Sequence, residues 1–148
     1  MFGPLAIRRA DWRWNYNLTN ADEEFSQIYL RPRDMLKLGI LFHDGGGWHG
    51  RQVVSESGVN PAMPEHSHVE NTSYGYLWWI AVNGNHYPGV ELPDGSFSAW
   101  GAGGHFIAII PALNIVIVHR VNTDDDAKKV TLQQFGELLR LILAAKKP

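Results

Sequence analysis

The sequence predicts an α+β fold in which an antiparallel sheet packs against helices, and three observations carry that prediction. Two runs rich in β-branched and aromatic residues, Phe106 to Ile110 and Ile115 to Val121, flank Pro111-Ala112-Leu113-Asn114, whose proline and asparagine favour a tight turn. A third such run, Ser73 to Val82, leads into Asn83-Gly84, a hairpin-type turn signal. Two stretches, 30–44 and 131–147, repeat apolar residues at three- and four-residue spacing, as amphipathic helices do.

With 148 residues and 45% hydrophobic content the chain has room for one core, so 1–148 is expected to form a single domain. The net charge of −2 has no block of either sign behind it, since Asp124-Asp125-Asp126 is followed at once by Lys128-Lys129. That balance argues against nucleic acid or an anionic membrane surface as the main partner. Cysteine is absent, which excludes disulfides, thiolate chemistry and Cys-ligated zinc. The longest apolar stretches are too short to span a bilayer and are broken by Pro111 and Asn114. Met1 to Ile7 is apolar, but Arg8-Arg9 follow it rather than precede it and no cleavage site is evident, so it makes a poor signal peptide; the compartment stays open.

Taken in order, 1–7 reads as the continuation of an element begun earlier. The aromatic stretch 11–20 and the acidic 21–24 lack sustained periodicity and read as an irregular surface segment, with Trp12 and Trp14 laid against the core. In the helix over 30–44, Pro32 suits the first helical position and Asp34 complements the N-terminal dipole. Met35, Leu38, Leu41 and Phe42 share a face, and Gly45-Gly46-Gly47 stop the helix. A short helix is expected within 52–59, capped by Ser55. His66 and His68, with Glu65 and Glu70 nearby, have one pair of zinc-type donors, yet the other histidines are scattered and further ligands are wanting. A solvated loop without metal is expected there.

Ser73 to Val82 is expected as one strand, in which the adjacent Trp78 and Trp79 face opposite ways. Residues 86–95 are loop. Both arms of the 106–121 hairpin are almost continuously apolar, which predicts a pair covered on both faces and central in its sheet. At the mouth of the first arm, Trp100-Gly101-Ala102-Gly103-Gly104 sets three glycines where backbone can approach a ligand or twist into the sheet. The last helix opens with the capping-box pair Thr131 and Gln134 and carries Leu132, Phe135, Leu138, Leu139 and Ile142 as a stripe to cover one sheet face.

Phe2-Gly-Pro-Leu, Tyr29-Leu-Arg-Pro-Arg-Asp-Met-Leu-Lys-Leu-Gly39, Asp44-Gly-Gly, Trp48-His-Gly-Arg-Gln-Val-Val-Ser55, Tyr74-Gly-Tyr-Leu-Trp-Trp79 and Ala99-Trp-Gly-Ala-Gly-Gly-His-Phe-Ile-Ala-Ile-Ile-Pro111 occur in that order. Together they resemble the C-terminal half of the serine beta-lactamase-related family, which includes class C beta-lactamases, penicillin-binding-protein-like peptidases and family VIII carboxylesterases. The resemblance implies a partial beta-lactamase/transpeptidase-like fold that lacks the N-terminal strands and the nucleophile helix. It also implies a serine hydrolase of esters, amides or beta-lactams in the complete enzyme, with no cofactor.

That family works through Ser-x-x-Lys, Tyr-x-Asn or Ser-x-Asn, and a third motif, Lys-Thr-Gly or a His/Trp-Gly variant, beside the nucleophile. Neither of the first two occurs around Ser26, Ser55, Ser57, Ser67, Ser73, Ser96 or Ser98. A serine hydroxyl without a neighbouring base is a poor nucleophile, so no catalytic residue is assigned and the chain alone is expected to be inactive. By resemblance the third motif falls at Trp100-Gly101, with Gly103-Gly104 just beyond, where a backbone donor to an acyl oxyanion would lie. The partners implied are a missing N-terminal half with its small acyl substrate, or self-association through an unpaired sheet edge. The alternative function is a stand-alone, non-catalytic binding or oligomerising module.

Overall fold

The computed structural model describes residues 2–18, 24–60, 67–69, 72–75 and 77–146. In chain order its elements are strands β1 (Trp12–Leu18) and β2 (Glu24–Leu30), helix α1 (Pro32–His43), the short strands β3 (Gly47–Trp48) and β4 (Arg51–Gln52), and the one-turn helix α2 (Glu56–Val59). Strands β5 (Ser67–Val69), β6 (Thr72–Gly75), β7 (Trp78–Ala81), β8 (Phe97–Gly101), β9 (His105–Ile110) and β10 (Ile115–His119) follow, and helix α3 (Leu132–Ala144) closes the series. Strands β5 to β10 form one six-stranded antiparallel sheet in the order β10-β9-β8-β7-β6-β5. The expected α+β architecture, an antiparallel sheet against helices, is what the chain adopts.

Strand β9 is the centre of mass of the core. Phe106 to Ile110 are all buried, and because successive side chains of a strand point to opposite faces they divide between two layers. Phe106, Ala108 and Ile110 meet Phe135 and Leu139 of α3, whereas Ile107 and Ile109 pack with Trp78, Phe97, Met35 and Phe42 on the α1 side. Each helix docks through a glycine. A Cβ on Gly39 would meet Val116 Cγ1 at 2.5 Å, and one on Gly136 would run into the Pro88 carbonyl. Helix α3 begins as its sequence requires: Thr131 and Gln134 exchange both bonds of the capping box. A third cluster, Leu5, Ile7, Leu30 and Leu41, seats the N-terminal segment behind α1.

Four expectations are corrected. Residues 12–18 and 24–30 are not irregular: β1 and β2 pair in register from Trp12↔Leu30 to Leu18↔Glu24. The alternation of Trp12, Trp14, Tyr16 and Leu18 with Arg13, Asn15 and Asn17 is the period-2 signal of such a strand, although Trp14 is 44% and Tyr16 72% exposed; Trp12 packs, its ring centroid 4.9 Å from that of Phe2. Ser73 to Val82 is two strands joined at a tight turn, with Tyr74↔Trp79 and Gly75↔Trp78 paired and Leu77 at φ +72°, a left-handed position usually marked by glycine or asparagine. The second arm of the hairpin, β10, is the terminal strand of the sheet and only half-buried, because an apolar run reports covered faces and not lateral neighbours. The 52–59 segment is helical only over Glu56–Val59, capped by Ser55, whose hydroxyl accepts from the Gly58 amide.

Trp78 and Trp79 face opposite ways, as expected: Trp78 lies in the α1-side cluster, while Trp79 stacks on Trp100 at 4.4 Å and 12°. Asp34, besides facing the α1 dipole, is 1% exposed and bonded to Arg31 and Lys37 at 3.0 Å each. Burial pushes its carboxyl up, but hydrogen bonds and charge from Lys37 and Arg31 outweigh that and leave it below the ordinary value. His66 lies outside the described residues, as do Glu65 and Glu70, and of His68 only the backbone is described, as part of β5. Among the described residues no three metal-binding side chains gather, and no helix is long and apolar enough to cross a membrane.

Candidate functional site

Strand β7 pairs with β8 at Trp79↔Ser98 and Ile80↔Phe97, a register that sets its first residue, Trp78, beside Ala99, so Trp100 and Gly101 run on past β7 while β9 still holds them on the other side. The turn that follows is tight. Gly103 and Gly104 have φ of +75° and +106°, and a Cβ on them would press on Thr123 Cγ2 at 2.6 Å and on Val130 Cβ at 2.8 Å. Both glycines are therefore needed by the local backbone, whatever else they do.

Beside this turn opens a cleft of about 840 Å³, within the size range of small-molecule sites. Its walls come from the ends of β8 and β9, the root of the β1–β2 hairpin, α1 and the segment after β10. Of the residues singled out from sequence, Trp100, Gly101 and Gly103 line it. Gly104 does not; it is buried against Val130. The indole of Trp100 turns to the opposite sheet face, so Trp100 contributes main chain to one layer and a ring to the other.

That ring belongs to a polar network the sequence did not announce. His86 Nε2 lies 2.5 Å from Ser98 Oγ, Tyr87 donates its hydroxyl to the same oxygen at 2.9 Å, and Trp100 Nε1 donates to Ser98 Oγ and, at 3.1 Å, to Tyr87 Oη. Burial depresses His86 to about 4, and it raises Tyr87 against the opposing hydrogen bonds to Ser98 and Trp100. Ser98 and Trp100 stand two apart on one strand face, the only sequence signal that could have joined them. A serine against an imidazole invites a nucleophile reading, which the geometry refuses. Ser98 has no exposed surface, and two donors already occupy its lone pairs. The cluster is a buried network that fixes Trp100 and saturates Ser98, while His86 Nδ1, also buried, has no hydrogen-bond partner among the described residues.

The cleft itself is cation-rich. Arg13 stacks its guanidinium 4.2 Å over the Tyr29 ring, and Arg120 Nη1 donates to the Leu30 carbonyl at 2.6 Å. Lys129 is paired with Asp126, and Asp124 is the one carboxylate on the walls. At the mouth, His105 is held below its ordinary value by burial and by the Arg120 and His119 charges. Sequence reading passed over Arg13, Tyr29 and Arg120, whose only mark was being polar residues at strand ends.

Comparison with solved structures gives the fold a relative. The chain superposes with a TM-score of 0.57 and 22% identity on a structure described as "Putative 6-aminohexanoate-dimer hydrolase from Bacillus anthracis", over 89% of this chain and 33% of that one. The chain has a partial beta-lactamase-like fold. It spans about a third of the length of that structure. No protein-family model and no curated protein matches it. Within the beta-lactamase-like fold, the segment that resembles the third motif is the end of β8 and the turn after it, on the wall of the cleft.

Proposed function

We propose that this chain forms the glycine-turn wall of an acyl-transfer pocket in a beta-lactamase-related serine hydrolase. Esters, amides or beta-lactams are its substrates when a segment carrying the nucleophile completes it, and the chain alone does not turn them over. The observation that carries this reading is the place of Trp100 to Gly103: past the end of β7, lining an open cleft. The solved structure described as a "Putative 6-aminohexanoate-dimer hydrolase" is consistent with it. Ser-x-x-Lys is absent, and the Ser98–His86 contact is sealed, so the attacking group has to come from elsewhere. Loss of an activated nucleophile removes factors on the order of 10⁴ or more. A chromogenic ester and a chromogenic cephalosporin are expected to be hydrolysed at the buffer rate, and a serine-reactive phosphonate to leave the mass of the chain unchanged. An adduct on any hydroxyl would overturn the reading.

A second reading, self-association, is favoured by a specific observation. The outer edge of β10 (Ile115–His119) has no partner strand among the described residues and contains neither proline nor lysine or acidic residues to blunt it. On α3, Leu138, Leu141 and Ile142 are 40%, 58% and 37% exposed on one face. Light scattering is expected to show mass rising with concentration, and Leu141→Glu to shift the chain towards monomer. Mass independent of concentration would rule this reading out.

A further inference from the structure

Three partners meet at Ser98 Oγ: His86 Nε2 at 2.5 Å, the Tyr87 hydroxyl at 2.9 Å, and Trp100 Nε1. Tyr87 and Trp100 both donate, so they fill the two lone pairs of that oxygen and leave the Ser98 hydroxyl proton to point at His86. Nε2 therefore accepts. The neutral ring must then carry its proton on Nδ1, which is buried and finds no acceptor among the described residues. A second proton on the ring would set an N–H against the Ser98 O–H, and Ser98 can turn to accept it only if one of its two donors leaves. Trp100 is the one free to go: Nε1 already has a second acceptor in Tyr87 Oη at 3.1 Å, and the residue is half-buried where Tyr87 is 3% exposed. We propose that His86 is a proton-operated latch on the cleft wall: neutral, it leaves the Trp100 indole fastened to Ser98, and protonated, it takes Ser98 and releases the indole.

Release has a mechanical consequence. Trp100 and Gly101 run past β7, and on that side the Trp100 ring, stacked on Trp79 at 4.4 Å and bonded to Ser98, ties down a main chain that lines the cleft. No neighbouring charge stands in for the proton. Strand β8 faces His86 with Ser98 and Trp100, and β7 has no charged residue. On the loop of His86 itself, Glu91 and Asp94 are exposed; α3, which meets Tyr87 through Phe135, holds Glu137 and Arg140 out in solvent, and His119 stands behind Phe106 and Phe135. None of them alters the proton affinity of the ring, which burial holds at about 4. A released arrangement in which the ring regains its ordinary 6.5 gains on the latched one by up to about 300-fold as the pH falls through that interval. The latch needs only the wall and does not depend on the acyl-pocket reading.

The test is an NMR titration of the full chain from neutral pH downwards, with the imidazole nitrogens and the indole N–H groups observed together and far-ultraviolet circular dichroism as the monitor of the sheet. At neutral pH His86 is expected as the Nδ1–H tautomer. On acidification the Trp100 indole resonance should shift in one step with the His86 ring, between pH 6.5 and 4, while the far-ultraviolet signal holds. His86→Gln should abolish the step. Tyr87→Phe keeps the burial but empties one lone pair of Ser98, so His86 should gain a proton about tenfold more readily and titrate without displacing Trp100. Should His86→Gln fail to fold, the tautomer and the Tyr87→Phe midpoint still decide. An Nε2–H tautomer at neutral pH, a step that survives in His86→Gln, or an unchanged midpoint in Tyr87→Phe would each overturn the latch, the last by showing that burial alone governs the ring. Loss of the far-ultraviolet signal in the same step would overturn it too, since the sheet would then be unfolding as a whole.

Discussion

At the scale of single residues, His86 is the group whose chemistry reaches the whole chain. Folded, it resists protonation down to about 4 because it is buried, whereas in the unfolded chain it takes a proton near 6.5. Between those values the unfolded state binds more protons, so stability is complete above about pH 6.5 and is lost as the pH falls towards 4. The expected loss between pH 7 and 5 is about 2 kcal/mol, and His105, also depressed, adds to it in the same direction. Urea midpoints at the two pH values measure this, and His86→Gln should flatten the difference; an equal slope in that variant would remove His86 as the cause. Asp34 acts further down the scale, contributing stability above its unfolded value that disappears only in stronger acid.

At the scale of elements, a tight constraint is the approach of α3 to the Pro88 carbonyl at Gly136. Alanine there would gain about 1 kcal/mol of helix propensity, but its methyl meets backbone that cannot rotate away, and overpacking costs about 1–3 kcal/mol. Gly136→Ala is therefore expected to lower stability by up to about 2 kcal/mol in chemical denaturation, and a stabilised variant would show that Pro88 yields. The helices were legible in the sequence because a 3.6-residue stripe, Pro32 and the Thr131–Gln134 pair are local signals. So was β9, whose residues are apolar on both faces. The β1–β2 pairing had a local signal in the alternation of Trp12, Trp14, Tyr16 and Leu18 with polar residues, but Trp14 and Tyr16 face water rather than a core; the turn at Leu77 was hidden because nothing in its residue type asks for a left-handed backbone. Of the candidate site, the glycine turn could be read locally. The arginines around it could not, for Arg13 and Arg120 meet at β2 only through tertiary folding.

For the molecule as a whole, sheet order decides what is shielded and what is offered. Strand β10 ends the sheet among the described residues, so its outer edge stays unpaired there. The cleft lies at the opposite sheet layer from α3, yet the two share a strand: Ile107 lines the cleft, and its neighbour Phe106 stacks on Phe135 at 4.4 Å. A common wall between two rooms cannot be shifted from one side only. Resizing a side chain under α3 therefore displaces the cleft floor as well, and variants selected for a sturdier interior will drift in ligand preference without a single substitution in the cavity.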